Sequence, residues 1–143
     1  MFICNHCPYV KLLENDFAAF GSECLEKGVG VVAISANDAD NYPEDAPDKM
    51  AELAARLEYP FAYLYDESQA TAKAYEAACT PDLYLFDANK RCVYRGQYDD
   101  ARPGNGKPVT GKDLRSAVAA LVAGAPPLAE QKASLGCNIK WKD

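Results

Sequence analysis

Apolar positions along the first third of the chain follow two rhythms. From Pro8, the residues Val10, Leu13, Phe17, Phe20 and Cys24 recur at steps of three and four, which draws one stripe along a helix. Gly28 after Lys27 stops that helix. Val29-Gly30-Val31-Val32-Ala33-Ile34-Ser35 is β-rich and apolar on both parities, as an interior parallel strand would be. A polar loop, NDADNYPEDAP, runs from Asn37 to Pro47. Its acidic residues lack the spacing of a calcium loop, so it reads as a solvated connection. Pro47 opens a second helix with Met50, Leu53, Ala54 and Leu57 on one face, and Pro60 ends it.

Phe61 to Tyr65 reads as a short strand. Asp66 with Gln69 makes an approximate capping pattern for a short helix through Tyr75. Asp82 to Asp87 and Arg91 to Gly96, joined by Ala88-Asn89-Lys90, form a hairpin. Cys92 alternates with Val93 and is a face residue of the second strand. A Gly/Pro-rich loop spans Asp99 to Pro108, and Thr110 and Asp113 cap a last helix with Leu114, Val118, Leu121 and Val122 inward. Gly124 and Pro126-Pro127 stop it. The tail from Leu128 to Asp143 holds Cys137 and the single tryptophan, Trp141; the tail has to fold back to cover that ring. Strands separated by helices predict an α/β domain: a central mixed sheet flanked by helices, parallel except for the closing hairpin. Neither repeat nor linker divides it, so residues 1–143 form one domain, with 128–143 packing back as its tail.

Composition narrows the function classes. A net charge of −6 argues against a nucleic-acid surface. No apolar run approaches the ~18 residues of a membrane span. The six cysteines, Cys4, Cys7, Cys24, Cys79, Cys92 and Cys137, are irregularly spaced in a chain long enough to need no disulfide staples. Cys24 lies on the helical stripe and reads as a small packing residue.

The pair Cys4–Cys7 is different. A thiol attacks a disulfide as its thiolate, and an ordinary cysteine has a pKa near ~8.5. This pair stands at a helix start, where free N–H groups and the dipole favour an anion. His6, the only histidine, sits between them and can tune the thiol with a positive charge or a hydrogen bond. Pro8 sets the first regular turn. That arrangement predicts an exposed, attacking Cys4 and a resolving Cys7 tucked against the helix. The second notable element is Cys79-Thr80-Pro81, directly before a strand. By itself it is a proline at a strand entrance, and X-Pro bonds are mostly trans.

The stretches FICNHCPYVK, SANDADNYPEDAPDKM, ACTPDLYLFD, YRGQYDDARPGNGKPVTGKDLR and QKASLGCNIKWK cover nearly the whole chain. Together they resemble the thioredoxin-like redoxin family related to the alkyl hydroperoxide reductase/thiol-specific antioxidant proteins. The resemblance implies a thioredoxin fold and thiol-disulfide oxidoreductase chemistry at Cys4 and Cys7. It also implies a cis Pro81 beside the pair, and a Thr80 backbone that binds an extended substrate segment by β-augmentation. Relatives carry a longer N-terminal part. Here the strand that delivers the cysteines is Phe2-Ile3, shorter than the usual ~5–6 residues, so the chain reads as truncated there. Thioredoxins often keep a buried carboxylate on that strand. Its equivalent would precede Met1, which leaves no general base to assign.

Two alternatives stand beside this reading. A peroxiredoxin-like thiol peroxidase is one, although the chain lacks the Pro-x-x-x-Thr-x-x-Cys pattern. A non-enzymatic metal module is the other, with Cys4, Cys7 and either Cys137 or His6 as ligands; there is no second CxxC, and His6 is badly placed between its neighbours. Cys137 is either a packing thiol or an accessory redox cysteine that exchanges with the pair. No cofactor or resident metal is expected. The expected partners are a disulfide-containing protein or small-thiol substrate and a redox partner, with neither nucleic acid nor membrane. A working CxxC occurs in reducing and oxidising compartments alike; localisation stays open, with a lean to the cytoplasm.

Overall fold

The computed structural model describes residues 1–143. Helix α1 (Pro8–Glu26) buries Val10, Leu13, Phe17, Phe20, Gly21 and Cys24, the expected stripe with Gly21 added. A side chain at Gly21 would run into Phe61 and Pro60, so the glycine lets α1 approach the chain leading into the next strand pair. Strand β1 (Val32–Ser35) is shorter than the apolar run that contains it. The Val29 N–H donates to the Cys24 carbonyl at 2.8 Å, which spends the start of the run on closing α1.

A 3-10 turn (Pro43–Asp45) and helix α2 (Pro47–Arg56) lead to β2 (Ala62–Tyr65), which pairs in parallel with β1, Val32 opposite Ala62 and Ser35 opposite Tyr65. Short α3 (Ala70–Ala74) precedes β3 (Cys79–Thr80). Strands β4 (Leu83–Phe86) and β5 (Cys92–Gly96) form the predicted hairpin. Helix α4 (Lys112–Val122) follows, and β6 (Cys137–Asn138) pairs antiparallel with β3. The architecture is mixed α/β.

Phe2 lies between the two larger strand pairs, bridging Ile34 in parallel and Asp82 antiparallel. Ile3 N–H donates to Ile34 O and Phe2 N–H to Asp82 O, both at 2.9 Å. The central position therefore falls to Phe2-Ile3, as expected. Beside it, β1 and β4 part around an apolar cleft of about 640 Å³ lined by Phe2, Val31, Ile34, Leu85 and Phe86.

The core joins α1, α4 and the hairpin. Phe17 and Phe20 meet the Tyr98 ring edge-on at 5.1 and 5.8 Å. The Tyr98 hydroxyl donates to Asp16 Oδ2 at 2.6 Å. Arg115 of α4 reaches Asp16 at 2.7 Å and Glu23 at 2.8 Å on α1, so the two helices are also tied electrostatically.

Three local expectations are corrected. Helix α4 buries Leu114, Ala117 and Val118, but Val122, in its last turn, is 51% exposed. Thr110 Oγ1 accepts the Lys112 N–H at its start, at 3.3 Å, but Asp113 Oδ2 takes the Gln97 amide instead, and buried Asp99 holds the entry, its Oδ2 accepting the N–H groups of Thr110 and Gly111, each at 2.7 Å. Gln69 does not cap α3. Its amide turns inward, donating to Ala36 O at 2.7 Å and Lys140 O at 3.0 Å, and accepting from Lys142 N–H at 3.0 Å.

Those last two bonds fasten the tail, which does fold back. Gln97 N–H donates to Lys132 O at 2.8 Å, and Ser134 Oγ donates to Pro81 O at 2.6 Å. Ile139 is buried, and Lys140 N–H donates to Asn37 Oδ1 at 2.9 Å. Trp141 stays 41% exposed, with the Lys73 ammonium 5.7 Å from its ring. Ile139, rather than the tryptophan, is the apolar anchor.

Candidate active site

The chain enters α1 through Cys4–Cys7. Cys7 is the residue before the helix, in extended geometry, and Pro8 occupies the first turn, where a missing N–H costs nothing. The N–H groups of Val10 and Lys11 both donate to the Cys7 carbonyl, at 3.0 and 2.9 Å. Against this turn lies the Thr80–Pro81 peptide, which is cis. Cys4 Sγ is 3.4 Å from Thr80 Oγ1, and Cys7 Sγ is 3.3 Å from the Thr80 carbonyl oxygen. Cys4, Cys7, Thr80 and Pro81 thus come together from two ends of the sequence.

Neither sulfur is open to solvent: Cys4 is 1% and Cys7 0% exposed. This corrects the expectation of an exposed Cys4. Thr80 covers the turn from one side, and the 37–47 loop and the tail close over the rest.

The two thiols act on each other's ionisation. Interaction with the Cys4 thiol draws Cys7 down to about 4, against the opposing effect of burial and with further help from Cys137. Interaction with Cys7 pushes Cys4 well up, reinforced by burial and then by the negative charge of Asp45. The pair titrates as a unit.

His6 does not act on the sulfurs in the way its position in the sequence suggested. Its Nδ1 bonds Asp45 Oδ2 at 2.5 Å, and its ring stacks on Tyr42 with centroids 5.7 Å apart. Asp45 is the residue that sequence reasoning missed. Its side chain is fully buried. Oδ1 accepts the backbone N–H groups of Asn5 (2.7 Å) and His6 (3.2 Å), while Oδ2 accepts from Asn37 Nδ2 (2.9 Å) and pairs with His6. Asn5 is further held by Tyr63, whose hydroxyl donates to Asn5 Oδ1 at 2.9 Å. A buried carboxylate in the supposedly solvated loop therefore shapes the Asn5-His6 turn between the two cysteines.

Donor atoms of Cys4, His6 and Asp45 all lie within 4.8 Å of one another. This differs from the metal set considered from the sequence, since Cys7 and Cys137 stand outside it. Both Asp45 oxygens are already engaged by protein donors, so the cluster fits an organising carboxylate better than a ligand set.

The remaining cysteines separate clearly. Cys24 is in the core and Cys92 is exposed on β5. Burial pushes Cys79 up to about 11, and its Sγ faces the Pro81 carbonyl at 3.5 Å. Cys137 lies at the site: its sulfur is 2.8 Å from Cys7 Sγ. Burial, and then the bond to Cys7, holds its thiol up at about 11.

Comparison with known proteins agrees with this geometry. An uncharacterized conserved protein from Geobacillus kaustophilus is 56% identical with a TM-score of 0.97, over 99% of this chain and 75% of that one. A hypothetical protein from Sinorhizobium meliloti 1021 is 50% identical, also with a TM-score of 0.97, over 99% and 77%. A thioredoxin-like protein solved in solution in its oxidized form is 21% identical, with a TM-score of 0.66 over 87% and 76%; it shares the fold. No curated protein matches the chain. Residues 1–95 match the AhpC/TSA family, and with its thioredoxin-like fold the chain belongs to that family of redoxins, whose chemistry is in general that of oxidoreductases.

Proposed function

We propose that the protein is a thiol-disulfide oxidoreductase working through Cys4 and Cys7. The observation that carries this reading is the pair itself: two sulfurs at the start of α1, both packed on Thr80 beside the cis Pro81. In this reading the Cys7 thiolate attacks one sulfur of a substrate disulfide. The substrate S–S bond breaks, a mixed disulfide forms on Cys7, and the first substrate thiolate leaves and takes a proton from solvent. Cys4 then gives up its proton and attacks Cys7 Sγ. The mixed disulfide breaks, the second substrate thiol leaves, and a Cys4–Cys7 disulfide remains. Two electrons pass from the dithiol to the substrate.

The lowered Cys7 thiol, rather than exposure, favours Cys7 over Cys4 as the attacking sulfur, the reverse of the order expected from the sequence. Trapping with a disulfide substrate tests both points. With Cys137, whose sulfur is 2.8 Å from Cys7 Sγ, replaced by serine, Cys4→Ser should accumulate the mixed disulfide on Cys7, and Cys7→Ser should abolish turnover. Accumulation on Cys4 in Cys7→Ser would restore the original order, and no trapping in either variant would remove the reading.

Membership of the AhpC/TSA family supports a second reading, peroxide reduction. There the thiolate attacks a peroxide oxygen, an alcohol or water leaves, and Cys4 condenses with the resulting sulfenic acid to release water. Stopped-flow oxidation of the reduced protein separates the two. Fast reaction with peroxide and slow reaction with disulfides would favour the peroxidase.

A further inference from the structure

The Thr80 edge, where the resemblance places a substrate strand, is already occupied by the protein's own tail. Strand β6 pairs antiparallel with β3 there, Thr80 opposite Cys137 and Cys79 opposite Asn138. The docking is built for close approach. A methyl group on Gly136 would overlap the Thr80 carbonyl and meet Pro81 N at 3.1 Å, so only a residue without a side chain fits. Ser134 on one side, and Ile139 and Lys140 on the other, anchor the segment. The register then sets the Cys137 sulfur 2.8 Å from Cys7 Sγ, less than 1 Å beyond the ~2.05 Å of a disulfide bond.

We propose that the segment Gly136–Ile139 is a resident substrate strand, and that Cys137 is a third redox cysteine that takes the disulfide over from the Cys4–Cys7 pair. The step rests on the oxidoreductase reading above and is an exchange without net electron transfer. Cys137 loses its proton and attacks Cys7 Sγ of the Cys4–Cys7 disulfide. The Cys4–Cys7 bond breaks as the Cys7–Cys137 bond forms, and Cys4 leaves as a thiolate that takes up the proton. A low-molecular-weight thiol then supplies the two electrons that reopen Cys7–Cys137: two thiols are consumed and become one disulfide. The proposal also bears on substrate class. While β6 is in place, an extended protein segment cannot pair with Thr80, and a small disulfide needs less displacement of the cover over Cys7 than a protein segment does. Protein disulfides require the tail to lift.

The test is peptide mapping of the full chain. The protein is oxidised with about 1 mM oxidised glutathione, alkylated at low pH, and digested with trypsin without reduction. An intramolecular thiol held this close has an effective concentration above the ~mM of a flexible tether, so it should outcompete glutathione for Cys7. Trypsin places Cys4 and Cys7 on peptide 1–11 and Cys137 on peptide 133–140. In Cys4→Ser the cross-linked pair of peptides should account for most of the oxidised protein. Gly136→Val should lower the cross-linked fraction at least tenfold. It should also raise the rate of insulin reduction, relative to that of a small aromatic disulfide, at least threefold. If Gly136→Val does not fold, Cys137→Ser serves instead: Cys7 in the double variant with Cys4→Ser should then carry glutathione.

Glutathione on Cys7 with Cys137 freely alkylated in Cys4→Ser would overturn the proposal. So would an unchanged substrate ratio in folded Gly136→Val. If the wild type reduces disulfides while Cys137 stays free, the third-cysteine inference falls and the oxidoreductase reading stands. If Cys7–Cys137 forms but no disulfide is turned over, the reading falls and the exchange stands.

Discussion

Replacing Asp45 with asparagine probes the link between the loop and the redox pair. Four donors converge on a carboxylate that is fully buried: two backbone N–H groups, the Asn37 amide and the His6 ring. In Asp45→Asn the remaining oxygen can keep the Asn5 and His6 backbone bonds. The new amide nitrogen then faces the Asn37 amide and the His6 ring. The imidazole can change tautomer and accept, but Asn37 cannot. A buried donor left without an acceptor costs about 1–3 kcal/mol. Loss of charge on the two backbone bonds adds about 1 kcal/mol each, since charge-assisted bonds are roughly twice as strong as neutral ones. The His6 bond is counted least because that ring is partly exposed. The sum, about 3–5 kcal/mol, should lower the urea midpoint by about 1.5–2.5 M at an m-value of about 2 kcal/mol/M, read by far-ultraviolet circular dichroism of the reduced protein. The same substitution removes a negative charge that pushes Cys4 up. The Cys4 titration, followed by NMR of ¹³Cβ-labelled cysteine in a Cys7→Ser background, should therefore move down. A midpoint within about 0.3 M of wild type would refute the claim that this carboxylate organises the turn. An unmoved Cys4 would refute the electrostatic half.

In the reduced wild type, the Cys7 ¹³Cβ resonance should titrate near pH 4, far below the ~8.5 of a free thiol; a midpoint near 8 would contradict a Cys7 thiol lowered by its neighbours. Because the folded value is depressed, the stability from this group is fully present above the unfolded thiol pKa and is lost as pH falls toward about 4. The urea midpoint of reduced wild type should thus drop from pH 8 to pH 5 more than that of Cys7→Ser, and parallel profiles would count against it. Phe17→Ala removes a fully buried ring packed on Tyr98 and should cost about 3–5 kcal/mol; a loss under 1 kcal/mol in urea unfolding would mean that the core collapses around the gap.

Period and punctuation made the helices and the hairpin readable. The α1 stripe is local, so nothing distant can shift it, and Pro8, Gly28 and Pro47 act on their immediate neighbours. The central place of Phe2-Ile3 followed from strand order and the resemblance together. What stayed hidden depends on partners far along the chain. Asp45 looks like any acid of its loop; its burial comes from amides 39 and 40 residues away. Gln69 has a capping residue's spacing but serves the tail at Lys140 and Lys142. Cys4 was expected to be open because no local pattern reveals what lies over it. The 29–35 run overstated its strand because apolarity on both parities does not mark where a helix closure ends.

Phe2-Ile3 has a further consequence. It is hydrogen-bonded to β1 at Ile34 and to Asp82 at the entrance of β4, and the next residue is Cys4. Away from this seam the two ribbons diverge around an apolar cleft. The seam that joins the two ribbons therefore ends one residue from the Cys4 sulfur, so the redox pair takes its position from both ribbons at once.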